Sequence, residues 1–153
     1  MNDSFLEEAK AKLRRKGFKL TGPRLAILNY LAREKGHPDV QAIYEGIRTE
    51  YPGIGMATVY RTVDLLVDIG LLRALVLKNN RIRYELNRPG DHHHHLVCTA
   101  CGEITEFGSC NFKLICEEIE GVTRFRIVEH TLEAYGHCPG CLTESGDYST
   151  EKM

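Results

Sequence analysis

The 153-residue sequence has no apolar run approaching the roughly 20 residues that a membrane-spanning helix requires, so it does not read as a membrane protein. Its start, Met1-Asn2-Asp3-Ser4, lacks the basic and then apolar character of a secretory leader, and a cytoplasmic protein is expected. It contains no His-Glu-x-x-His and no nucleophile paired with a base, so neither zinc-protease nor acyl-transfer chemistry is signalled, and no small-molecule substrate is expected. Disorder is not signalled either. With 42% apolar and 27% charged residues, the chain is ordinary globular material for one domain or two small ones.

The net charge of -1 conceals a division. Residues 1–90 hold 16 of the 20 basic and 10 of the 21 acidic residues, a formal +6, which leaves -7 for residues 91–153. A basic half joined to an acidic half suggests that the first faces a polyanion, although charge also segregates by chance.

What the chain does have is sulfur and imidazole in one place. His92-His93-His94-His95 runs into Cys98-Thr99-Ala100-Cys101, and Cys138-Pro139-Gly140-Cys141 supplies a second Cys-x-x-Cys. Each short loop lets two thiolates reach one ion, so Cys98, Cys101, Cys138 and Cys141 make a candidate closed tetrahedral zinc site. The alternatives are two disulfides or idle thiols, and a reducing compartment disfavours the first. Cys116 falls on an apolar stripe with Phe112, Ile115 and Ile119 and is expected in a core; Cys110 receives no role.

In the first half, residues 5–16 read as a basic helix stopped by Gly17. A second helix follows Thr21-Gly22-Pro23, with Thr21 as cap and Pro23 in the first turn. A third starts near Asp39, with Val40, Ile43, Tyr44 and Ile47 on one face. The fourth spans residues 57–69. Val59, Val63, Leu66 and Val67 form its buried stripe, with Thr58, Tyr60, Arg61 and Thr62 off it. Two apolar segments around Asn79-Asn80 then predict a hairpin. Short helices followed by a hairpin describe a winged helix-turn-helix, in which the last helix enters the DNA major groove by its N-terminal end. Lys19, Thr58, Tyr60 and Arg61 are then the candidate DNA contacts, Arg61 toward a guanine edge. A winged helix used only for protein contacts is the competing reading.

Past a hinge at Gly90-Asp91, the pattern is strand, turn, strand, a helix over residues 110–120, and a long strand over residues 124–135. The predicted fold is thus α+β, with a winged helix-turn-helix in residues 1–88 and a small α/β domain in residues 89–153. Alternation along a strand sends His93 and His95 one way and His92 and His94 the other. His93 and His95 have candidate metal-binding partners in Glu85, Glu106 and His37, and mixed imidazole and carboxylate ligands suit divalent iron, manganese or zinc. Spacing alone does not establish that these residues converge, and a solvated polar strand remains open for His92 and His94.

Gly36-His37-Pro38-Asp39, Ala57-Thr58-Val59-Tyr60-Arg61, Arg83-Tyr84-Glu85-Leu86 and His93-x-His95-Leu96-Val97-Cys98-x-x-Cys101-Gly102 stand in order along the chain. Glu106-Phe107 and His130-x-Leu132-x-x-Tyr135-Gly136-x-Cys138-x-x-Cys141 complete the series. Jointly, over residues 13–141, this resembles the ferric uptake regulator family. The resemblance implies a homodimeric transcription factor, usually a repressor, with an N-terminal winged helix binding a double-stranded DNA operator and a C-terminal dimerisation domain. It implies structural Zn2+ on the four cysteines and a regulatory metal on His37, Glu85, His93, His95 and Glu106, with Lys19, Tyr60 and Arg61 at the DNA. Many members carry a further site at the positions of His92, His94, Lys113 and His130. Here His94 stands where iron regulators commonly have Asp, and Lys113 stands where a carboxylate is usual. A cation among the ligands would repel metal, leaving His92, His94 and His130 as a nitrogen-rich remnant. Glu85 and Glu106 resemble the iron-responsive branch, since peroxide-sensing members typically have Asp there, while the histidine run resembles the zinc branch. Regulatory Fe2+ is ranked first, then zinc or peroxide sensing, with Mn2+ or nickel behind. A metal store or chaperone and a metalloenzyme are the readings from other classes.

Overall fold

A computed structural model describes residues 3–78, 80–88, 90, 92–108 and 111–145, and the chain divides into two compact units, Met1–Pro89 and Gly90–Met153. Asn79, Asp91 and Cys110 lie outside the described residues, so the hinge and the start of the helix expected from residue 110 are described only in part.

The first unit contains α1 (Asp3–Arg15), α2 (Gly22–Arg33), α3 (Val40–Ile47) and α4 (Met56–Asp68), followed by β1 (Leu72–Val76) and β2 (Ile82–Leu86). Phe5, Ala9 and Leu13 recur at helical spacing, and each is buried on one face of α1. Gly17, at φ +79, turns the chain out of that helix, a conformation that costs glycine nothing. Asp39 caps α3: its side chain accepts from the Ala42 backbone N–H at 2.8 Å, satisfying a donor that the first helical turn leaves open. Thr21 sits at the N-cap of α2 with extended backbone but makes no capping bond.

The helices share one core in which Ile27, Leu28, Ile43, Val59, Val63 and Leu66 are fully buried. Each such aliphatic side chain contributes about 1.5–3 kcal/mol. Thr62 corrects the expected polar face of α4, because it is buried with Val59, Val63 and Leu66. The hairpin pairs antiparallel from Leu72↔Leu86 to Val76↔Ile82, with Asn80 left-handed at φ +58 in its turn. Its Tyr84 N–H donates to the Pro38 carbonyl at 2.9 Å, so the loop before α3 is fastened to β2.

The second unit is a three-stranded sheet in the order β4-β3-β5, with β3 (His94–Cys98), β4 (Ile104–Phe107) and β5 (Glu133–Gly136), plus α5 (Phe112–Thr123) and α6 (Pro139–Ser145). β3 runs antiparallel to β4 and parallel to β5. Three sequence expectations fail here. The long strand shrinks to β5, and residues 124–132 lie outside any strand, although the Leu132 carbonyl already accepts from the His95 backbone N–H at 3.2 Å. No residue of α5 is fully buried: Ile115 is 48% exposed and Cys116 only half-buried, so the stripe faces no core of its own chain. The tail after Cys141, expected from its Glu, Ser, Thr and Gly to be frayed, begins as the last turn of α6, for which Pro139 is preset in the first turn, and residues 146–153 lie outside the described residues.

Candidate metal centres and nucleic-acid interface

Cys98 ends β3, and Cys101 lies in the turn behind it, where Gly102 adopts φ +79 and its N–H donates to the Cys98 carbonyl at 2.9 Å. Cys138 immediately precedes α6, and Cys141 lies in that helix. The parallel register of β3 and β5 puts Cys98 opposite Gly136, which brings the two Cys-x-x-Cys loops to one end of the sheet. The four sulfurs all lie within 4.8 Å of one another, with Cys101 Sγ 3.7 Å from Cys138 Sγ. Four thiolates at 2.3 Å from one tetrahedral ion would stand about 3.8 Å apart. A disulfide would need about 2.05 Å. The spacing therefore fits zinc and not a bridge. Backbone N–H groups of Cys101 and Cys138 pull the Cys98 thiol down to about 6, while hydrogen bonding with the Cys138 and Cys101 thiols pushes Cys141 up to about 12. A divalent cation among these four sulfurs would hold all of them as thiolates.

A second cluster is made only of imidazoles. His92, His94 and His130 each offer a ring nitrogen within 4.8 Å of the others. Phe112 stacks on the His130 ring at 3.8 Å and 11°, fixing its plane. His94 is 1% exposed, and neither of its ring nitrogens has a hydrogen-bond partner among the described residues. Leaving a buried ring nitrogen unsatisfied costs about 1–3 kcal/mol, which a metal bond would offset. Burial, and then the neighbouring imidazoles, hold His94 below the usual histidine range. Lys113 does not crowd these rings: its side chain is 88% exposed and stands 3.9 Å from Glu117. The residue at the start of α5 that stacks on His130 is Phe112, and solvent screens the charge of the exposed Lys113.

The five residues of the expected regulatory set divide between the units. In the first, His37 Nε2 lies 3.3 Å from Glu85 Oε2, and both side chains are buried. Two ligands about 2.0–2.1 Å from one tetrahedral ion would be about 3.3 Å apart, so this pair has a ligand spacing. In the second unit, His95 faces Glu106 across the β3–β4 ladder, and the His93 and His95 rings are 5.1 Å apart. His93 and Glu106 offer ligand atoms within 4.8 Å of each other.

At the start of α4, Tyr60 is 51% exposed, Arg61 is exposed with its Nε–H donating to the Ala57 carbonyl at 3.1 Å, and Thr58 is half-buried. Lys19 is exposed in the turn before α2, where its carbonyl accepts from Arg24 Nη1 at 2.6 Å. Lys19, Tyr60 and Arg61 are thus each open to solvent, and cationic and aromatic groups of this kind can meet phosphate and base edges.

The family model described as "Ferric uptake regulator family" matches residues 15–135. The chain belongs to the ferric uptake regulator family. It is 32% identical over 142 residues to the peroxide-responsive repressor PerR of Staphylococcus epidermidis, covering 93% of each chain. Among solved structures it is similar to the ferric uptake regulator of Francisella tularensis with iron, at 31% identity and a TM-score of 0.74 over 82% of this chain and 95% of that one. The Helicobacter pylori regulator shares the fold at 22% identity, with a TM-score of 0.80 over 97% and 95% of the two chains.

As a member of the ferric uptake regulator family, the protein is a metal-responsive, DNA-binding transcriptional regulator and not an enzyme. No helix among the described residues is long and apolar enough to cross a membrane. Sequence reasoning overlooked the charged residues around the first unit's pair. Arg83 reaches Asp39 Oδ2 at 3.0 Å, and Arg73 reaches Glu85 Oε1 at 3.4 Å. The signal available was cross-strand register, which sets Arg73 directly opposite Glu85.

Proposed function

We propose that this protein is a homodimeric repressor whose operator binding is switched on when a divalent metal, ferrous iron by preference, occupies a site built from His37, Glu85, His93, His95 and Glu106. The observation that carries this reading is the separation of donor chemistry. Four thiolates gather at one end of the second unit's sheet, while imidazole and carboxylate pairs stand in both units. A closed sulfur set suits permanent structural zinc, and the softer-to-harder mixture of nitrogen and oxygen suits an exchangeable ion. One ion taking ligands from both units would fix their relative orientation, and its differential affinity for that arrangement would favour the DNA-binding state. In this reading residues 1–88 bind the operator, with Arg61 and Tyr60 at base edges and Lys19 and Thr58 at the backbone, and residues 89–153 form the dimer. His92, His94 and His130 form a separate nitrogen-only site that prefers zinc. The uncovered α5 face and residues 124–132 support dimerisation, since a second copy would bury the former and pair the latter.

A peroxide-responsive variant of the same function is the second reading, favoured by the PerR relatives. Glu85 and Glu106 favour plain iron response. The test uses zinc-loaded protein otherwise stripped of metal, titrated without oxygen with ferrous, manganous or zinc ion, and read by anisotropy of a labelled palindromic duplex. Ferrous or manganous ion should switch binding on, and His95→Ala should abolish the switch. Peroxide added to the iron complex releases the DNA only if the second reading holds. Binding that ignores metal would overturn both.

A further inference from the structure

Glu85 divides its carboxylate between two demands. Oε2 lies 3.3 Å from His37 Nε2, where the proposed ion would sit, and Oε1 lies 3.4 Å from Arg73 Nη1. The two residues are direct partners in the β1–β2 register, so the guanidinium is held there by the hairpin itself. Their environments differ: the Glu85 side chain is 6% exposed and that of Arg73 is 44% exposed. A buried carboxylate without a counter-charge is costly, and arginine, which stays protonated at any physiological pH, supplies a permanent one.

Arg73 is not needed to place the other ligand. The His37 loop is fastened independently, by Tyr84 N–H on the Pro38 carbonyl, by Asp39 capping α3 and by Arg83 on Asp39. The remaining effect of Arg73 is its charge. We infer that Arg73 is an electrostatic brake on the regulatory site: it neutralises Glu85 in the metal-free protein and opposes the incoming cation across the same carboxylate, raising the metal concentration at which DNA binding begins. This rests on the reading of Glu85 as a ligand of the regulatory ion.

A purely orienting role makes the opposite forecast, so the sign of one measurement decides. Zinc-loaded protein is titrated with Mn2+, and free Mn2+ is followed by electron paramagnetic resonance, with no DNA present. Arg73→Gln should bind Mn2+ about tenfold more tightly, the effect of one unit charge facing a divalent ion several ångströms away in water-like surroundings. Arg73→Lys, which keeps the charge, should stay near wild type. The gain should shrink at high salt, because Arg73 is half-exposed and its field is screened. The Mn2+ threshold for operator binding should shift by the same factor. Unchanged or weaker binding by a folded Arg73→Gln, while Glu85→Gln does weaken it, overturns the brake alone. If Glu85→Gln leaves Mn2+ affinity at the wild-type value, the ligand assignment fails and the brake falls with it.

Discussion

If the dimer proposed above forms through the α5 face, replacing Phe125 by Ala should weaken it without unfolding the protomer. Phe125 follows α5 and is 77% exposed, in line with Val122 at 82% and Val128 at 92%, so its ring is not part of the protomer's core. Fully burying such a side chain is worth about 1.5–3 kcal/mol. Scaled by the exposed 77%, and doubled because a two-fold interface uses each residue twice, the loss is about 2–5 kcal/mol per dimer. The dimer dissociation constant should then rise by about fifty-fold to two-thousand-fold. Sedimentation equilibrium across a protein dilution series gives the constant directly, and far-ultraviolet circular dichroism confirms that the protomer stays folded. An unchanged dissociation constant would refute the assignment of this surface to the second copy. So would a wild-type chain that is monomeric throughout.

If the four thiolates hold structural zinc as proposed, Cys141→Ser should remove it, counted by plasma mass spectrometry, and with it the order of the second unit, whose described aliphatic core is as small as Val97. Structural zinc in small domains contributes about 10–16 kcal/mol at neutral pH, so partial retention of the metal with full stability would contradict a four-thiolate centre. Alkaline pH should destabilise the first unit through Tyr30. Burial, and then Glu34, push this phenol from 10.0 up to about 12, so the folded state holds the proton more tightly than the unfolded chain does. The stability this gives is complete below pH 10 and is lost as pH rises toward 12. Denaturant midpoints for Tyr30→Phe should therefore fall less steeply across that window than those of the wild type, and parallel curves would count against it.

Local chemistry dictated much of this protein from the sequence alone. Asp39 ahead of an apolar helical stripe, Gly17 after a basic helix and Asn80 between two apolar segments each act within a few residues. The structure bears out the start of α3 at Asp39, the stop at Gly17 and the hairpin turn, and adds the Asp39 cap. The paired Cys-x-x-Cys spacing likewise announced a thiolate cluster, because each loop is too short to send its two sulfurs apart. Other features depend on neighbours distant in sequence, and only tertiary structure decided them. Thr62 is inside because α4 packs on more than its aliphatic stripe. At the start of α5 it is Phe112 that stacks on His130, while Lys113 is exposed. Arg73 meets Glu85 because of strand register. Residues 124–132 read as strand from the sequence and form none, because a strand exists only where a ladder is made, and among the described residues the pairing with β3 begins at Leu132 and Glu133.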